Sequence, residues 1–206
     1  MDRQKLARIF LNTLKLILGL LILPFVISVT IVFIKYISQI EKVALSYFIN
    51  GMVFFLVLYL FVYEPRFFYK KGQHFLEVVF RFFAPLVKTA PYVLPIYVII
   101  FGLLHFVLRL FSDSVYILYY SLFLCSFSLI MHLSFSARIL RPKRIEYASI
   151  ANYIFAISII YIVNILVFGS ILNFMLESFS FSGLFNGSVD LTKAIYSSIF
   201  NQLFVS

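Results

Sequence analysis

From Tyr147 to Leu176 the chain carries no charged side chain, and Leu16 to Ile34 is uncharged over another 19 residues. Runs of this kind constrain the fold more than any other feature. About 20 apolar residues in a helix cross a hydrocarbon layer of about 30 Å. Backbone groups inside that layer find no water, so they must pair within their own segment, as a helix allows. A soluble domain of 206 residues would instead have to cover itself with polar groups. This chain is 63% hydrophobic and only 12% charged, against about 25% charged in an average soluble domain. The expected class is all-α, a single integral membrane bundle.

Five windows are long enough to cross: 16–34, 43–63, 90–111, 115–137 and 150–174. Pro24 is expected to kink the first, with Ser28 and Thr30 placed to take up freed backbone groups. Asn50 and Gly51 lie inside the second. Pro91 and Pro95 fit the first turns of the third, or bend its entry. The segment before the first window, Met1 to Lys15, carries Arg3, Lys5, Arg8 and Lys15, with Leu6, Ile9, Phe10 and Leu14 at helical spacing. The apolar run after it is long and lacks a small-residue cleavage pattern. It therefore reads as a basic lead into an uncleaved span.

Charge sets the expected orientation. The net charge is +9, but the basic residues sit in connectors beside the spans, and no nucleic-acid motif is visible. Alternate connectors hold thirteen basic residues (4 + 5 + 4) against four (2 + 1 + 1). Basic connectors stay on the cytoplasmic side. The N-terminus, the Arg66–Lys88 connector and the Arg138–Arg144 connector are thus expected in the cytoplasm, with the C-terminus outside, in a cell inner membrane. The single cysteine, Cys125, excludes an intramolecular disulfide and any multi-cysteine metal centre.

The Arg66–Lys88 connector has a pattern of its own. On a helix over about 70–84, Lys70, His74, Glu77 and Arg81 fall on one line that Lys88 extends, with Gln73 at its edge and aromatics opposite. That predicts an amphipathic helix lying in the cytoplasmic membrane surface. The tail reads as a Ser-, Gly- and Phe-rich loop over 179–187, then a helix over 189–203 capped by Ser188, with Asp190 in its first turn. Too few uncharged residues follow Lys193 for a span, so this helix is expected flat on the outer surface.

Polar groups inside a bilayer are costly and so are functional candidates. His105 and Arg109 share a face of the third span, and Arg109 is near enough to its end to anchor at lipid head groups. Asn50 and Asn164 suit hydrogen bonds between helices. A sharper possibility is a two-histidine, one-carboxylate metal site of His74, Glu77 and His132, the ligand set used by zinc hydrolases. The simpler reading pairs Glu77 with Arg81, leaves His74 in water and bonds His132 to a neighbouring helix. Lys70, Lys71, Arg81, Arg138, Arg141, Lys143 and Arg144 are the expected contacts to anionic lipid head groups or to another membrane protein. No cofactor motif is present, and the spans contain no Asp or Glu, which argues against an ion-coupled transporter.

The order Tyr63-Glu64-Pro65, Tyr69-Lys70-Lys71-Gly72, then Ala90-Pro91-Tyr92 with Pro95 and Tyr97 resembles a group of bacterial membrane proteins related in layout to site-2-type membrane metalloproteases. Those proteases carry a Gly-His-Glu-x-x-His signature after the basic Tyr segment. Here Gln73 stands at the first His position, His74 at the Glu position and Glu77 at the second His position. The later Asp-Gly ligand motif is absent too. The resemblance implies a relative that keeps the scaffold without the protease chemistry. The expected function is therefore a non-enzymatic membrane subunit or scaffold. A metal-dependent membrane hydrolase and a channel or carrier are the alternatives.

Overall fold

The computed structural model describes residues 3–61, 66–79, 93–141 and 147–204. Among them, seven helices follow in order: α1 (Arg3–Ile37), α2 (Lys42–Phe61), α3 (Arg66–Val79), α4 (Ile96–Phe111), α5 (Val115–Leu140), α6 (Tyr147–Met175) and α7 (Phe181–Phe204). Four are long and apolar enough to cross a membrane: the Ile9–Ile37 part of α1, then α2, α5 and the Ile150–Met175 part of α6. The third expected span is shorter than its window. Its helix α4 starts at Ile96 and holds 16 residues, about 24 Å. Pro95 is its N-cap, because proline has no N–H to continue a helix backwards but presets the dihedral for its start. Residues 90–92 lie outside the described residues.

Contacts fix the directions. Lys15 donates to Asn152 Oδ1 at 2.9 Å, Thr30 meets the Tyr161 hydroxyl at 2.8 Å, and Phe33 packs on Phe168. Partners advance together, so α1 and α6 run parallel. The same holds for α2 and α5. The Tyr119 hydroxyl donates to Glu41, Phe54 packs on Phe127, and Arg138 donates to the Tyr59 hydroxyl. Helix α4 runs back against α5, with Val98 beside Cys125 and His105 beside Ser121. One end of the bundle therefore gathers the start of α1, the end of α2, all of α3 and the end of α5. The basic connectors belong to this end, called the basic end below. The opposite end holds the α1–α2, α4–α5 and α6–α7 turns. Phe33, Phe48, Leu122, Phe168, Leu172 and Leu184 fill the core between them.

Helix α2 approaches α5 closest at Gly51, where an added Cβ would run into the Phe123 carbonyl oxygen and Ser126 Oγ. Thr30 bonds Val26 O at 2.7 Å, while Ser28 Oγ is buried without a partner. Neither reaches the Leu20 carbonyl that lost its donor to Pro24, and the expected compensation by these two hydroxyls is not found.

The tail departs most from expectation. No loop covers 179–187. Helix α7 begins at Phe181, eight residues before the predicted start. Ser180 Oγ accepts the Gly183 N–H at 3.1 Å, and Asn173 Oδ1 accepts the Phe181 N–H at 2.8 Å. These two oxygens satisfy amide groups that the helix leaves open at its start. Ser188, the predicted cap, is instead buried mid-helix, with its hydroxyl donating to Leu184 O at 2.6 Å. Nor does α7 lie flat on the outer surface. Gly183 sits against Tyr36, Gly187 against Val32, and the Tyr196 hydroxyl donates to Leu21 O. As α7 advances, its neighbours on α1 recede, so the two are antiparallel. They stay together from Tyr36 to Leu21, about 22 Å at 1.5 Å per residue. The C-terminus is thereby carried back toward the basic end. Counting apolar residues after Lys193 missed this, because α7 starts earlier and buries its own inner face, Leu184 and Ser188, against the bundle.

Because Ser180 closes the first turn of α7, Ser180→Ala should lower thermal stability in detergent by about 1 kcal/mol. If Ser180→Ala is silent and Asn173→Ala is not, the amide alone sets where the helix starts.

Candidate functional site

The site is assembled by α3. Its first turns seat Tyr69 and Gly72 inward. Tyr69 is buried, shares a hydrogen bond with Ser136 Oγ at 3.0 Å, and stacks near Phe135 at 5.1 Å between ring centroids. Gly72 has no side chain to keep the helix away from α4. A Cβ there would lie 2.6 Å from the Tyr97 ring and 2.9 Å from Ile96. Helix α3 is thus held at two points, by Tyr69 on α5 and by Gly72 on α4.

A cleft of about 330 Å³ opens beside this contact, lined by Tyr69, Lys70, Gln73, Phe135, Arg138 and Ile139. Two cations from different elements, Lys70 of α3 and Arg138 of α5, share it. The Arg138 guanidinium is oriented by the Tyr59 hydroxyl at 3.5 Å. The Gln73 side-chain N–H₂ is buried with no hydrogen-bond acceptor, and a buried donor without an acceptor costs free energy until one arrives. Phe135 and Ile139 supply an apolar wall. Two cations, one open amide donor and an apolar side suit an anionic group attached to a hydrocarbon tail.

Seven residues are expected at lipid or a partner, and the structure brings Lys70 and Arg138 together. Lys71 and Arg141 are exposed near them. Arg81, Lys143 and Arg144 lie outside the described residues. Gln73, predicted only at the edge of the polar line, is turned inward. The sequence signal for that is Gly72: a glycine inside a helical pattern marks close approach, which fixes the inner face of α3 on Tyr69, Gly72 and Gln73.

The candidate metal ligands are placed differently. His132 is buried on α5, with Nε2 3.4 Å from Ser136 Oγ and its ring 5.8 Å from Tyr69. Through Ser136, a residue of its own helix, it extends the hydrogen-bond chain that reaches Tyr69 of α3. His74 is exposed on α3, about 140° round the helix from Tyr69. The Glu77 side chain lies outside the described residues. Among the described residues, no three His, Cys, Asp or Glu side chains gather as a metal site.

The other end holds a second cleft, about 400 Å³, bordered by Glu41, His105, Arg109, Asp113 and Glu177. Most of these groups already have partners in the protein. His105 Nδ1 lies 3.2 Å from Ser121 Oγ, the Tyr119 hydroxyl donates to Glu41, and Arg109 reaches the Asp113 carboxylate at 3.9 Å. Arg109 thus reaches the next turn while its side chain stays 45% exposed. Asn164 does join elements, donating to Val93 O at 2.8 Å and Ile160 O at 2.7 Å. Asn50 does not: its amide meets Ser46 Oγ at 3.5 Å on its own helix.

No protein-family model, curated protein or solved structure matches the chain.

Proposed function

We propose that this chain is a multi-pass protein of the cytoplasmic membrane, a non-enzymatic subunit or scaffold that holds an anionic lipid head group in the α3–α5 cleft. The observation that carries the reading is the convergence of Lys70, Arg138 and the open amide donor of Gln73 on one cleft with an apolar wall. Its position supports it: the cleft lies at the end that carries Lys15, Lys70, Lys71, Arg138 and Arg141 among the described residues, and basic ends face the cytoplasm in membrane proteins. Helix α4 completes a five-helix set with the four longer apolar helices. With α7 returning beside α1, both termini face the cytoplasm. The reading rests on the cleft and takes nothing from the likeness to site-2-type proteases.

Native mass spectrometry of the protein from nanodiscs tests it. The wild type should retain phosphatidylglycerol over phosphatidylcholine. Removing one cation near an anionic head group costs about 1 kcal/mol, so Lys70→Gln with Arg138→Gln should weaken retention roughly 30-fold. Gln73→Leu leaves the charge unchanged and should still weaken it several-fold, which diffuse attraction to a basic surface would not. Equal retention by all these variants would remove the cleft from the reading. A co-purifying protein in place of lipid would assign the cleft to that partner.

A further inference from the structure

We propose that the outward face of α7 is the contact through which two copies of this chain pair side by side in the membrane. The proposal rests on the membrane reading above, since it depends on the depth at which α7 lies. That depth comes from α1. Asp190 and Lys193 fall between Gly187, which packs on Val32, and Tyr196, which bonds Leu21. They therefore sit beside the middle of the Ile9–Ile37 apolar run. There they form an ion pair at 3.5 Å, with both side chains about three-quarters exposed, at 74% and 75%. An ion pair open to hydrocarbon is costly, and ionisable groups at such depth face protein or water.

The groups around the pair form a line. Asn186, Asp190, Lys193, Ser197, Phe200 and Phe204 are all exposed and are spaced alternately four and three residues apart. A repeat averaging 3.5 residues keeps one seam turned toward a parallel neighbour along the length of a slightly supercoiled helix. The opposite face, with Leu184 and Ser188, is already buried in the bundle.

The seam complements itself. Two copies in one membrane share orientation, so a two-fold axis along the membrane normal makes their α7 helices parallel. Asp190 of each copy then faces its own counterpart across the axis and lies about one turn from the other copy's ammonium, so the four charges can close a ring of alternating sign. Asn186 and Ser197 each donate and accept, so each can bond its own counterpart. Phe200 and Phe204, with rings 4.9 Å apart, close the seam toward the basic end with apolar contact. Complementary charge, dual-purpose hydrogen-bonding groups and heptad spacing are all met by a second copy of the same helix.

The test uses the full chain in sealed lipid vesicles, with Ser197→Cys as the reporter. Oxidation should convert most of that variant to a disulfide-linked pair of chains. Val53→Cys on the exposed side of α2 should not cross-link. Native mass spectrometry from nanodiscs should give a dimer for the wild type. Asp190→Lys should reduce the dimer at least tenfold, Lys193→Asp likewise, and the two together should restore it, because the swapped pair is again complementary. No cross-link through Ser197→Cys, a dimer indifferent to Asp190→Lys, or a cross-link to a protein of different mass would each overturn the proposal. A membrane-impermeant maleimide separates the two levels of failure. Labelling of Ser197→Cys from outside the vesicle would remove α7 from the bilayer and take the membrane placement with it. An unlabelled, uncross-linked thiol would leave that placement standing and overturn the pairing alone.

Discussion

Gly51→Leu should cost on the order of 3 kcal/mol and leave little folded protein in detergent. The physical reason lies in what the added atoms would meet. A Cβ at Gly51 falls on the Phe123 carbonyl oxygen and Ser126 Oγ, and within 3.0 Å of the Phe123 carbonyl carbon. These are largely backbone atoms of α5, which cannot rotate away as a side chain can. Accommodating the new group means parting α2 from α5 at the waist of the bundle. The loss then spreads to Phe54 against Phe123 and to Phe55 against Phe127. Gly102→Ala is the control. There a Cβ would lie 2.8 Å from Ile171 Cγ2, a terminal methyl group, so the change should cost under about 1.5 kcal/mol. Thermal unfolding of both variants, followed by loss of monodisperse protein, gives the comparison. Equal effects would mean that α2 and α5 do not meet as closely as described.

Asn164→Asp should be the most damaging isosteric change in the chain. Asn164 is fully buried, and its amide nitrogen donates to two carbonyl oxygens, Val93 O and Ile160 O. Its own Oδ1 is buried with no donor. A carboxylate there would turn two attractions into two repulsions, a cost of about 4 kcal/mol by analogy with an uncompensated buried charge. Asn164→Leu keeps the volume and removes the lone Oδ1, but it strands Val93 O, for about 2 kcal/mol. The expected order of stability is wild type, leucine, aspartate. Aspartate matching leucine would show that the site admits water, and that the amide is not what ties α6 to the segment before α4.

Much of the fold was legible because it rests on one-dimensional signals. Uncharged runs mark α1, α2, α5 and α6 to within a few residues at most ends, since a single Lys or Arg is costly enough in hydrocarbon to set a boundary. The proline-bounded start of α4 was harder. Pro91 and Pro95 both suit a first turn; the structure gives Pro95 as the N-cap of α4, and Pro91 lies outside the described residues. The tail was misread for a different reason. Ser188, followed by Asp190, has the composition of a helix start, yet Ser180 with Gly183 three residues later is an equally good one. What decides between them is the docking of Gly183 and Gly187 on Tyr36 and Val32, a contact between the two ends of the chain that no local pattern encodes. At the candidate site, periodicity put Lys70 on the polar line of α3 but did not turn Gln73 inward, and Arg138 came only from the charge of its connector. It treated α3 as a helix between water and lipid, whereas Tyr69 and Gly72 give it a third environment, the protein itself.

The parallel pairing of α1 with α6, and the return of α7 along α1, also set a timetable. Lys15 meets Asn152 across 137 residues of sequence, and Leu21 meets Tyr196 across 175. A ribosome adds about 5–20 residues per second, so α1 waits on the order of ten seconds for α6 and longer for α7. Until then Phe33 has Phe48 of α2 against it, but the face carrying Val32, which meets Gly187 of α7, lacks that cover. A chain truncated before α6 would expose that face permanently. The N-terminal helix thus completes its packing only once α6 and α7 have been made.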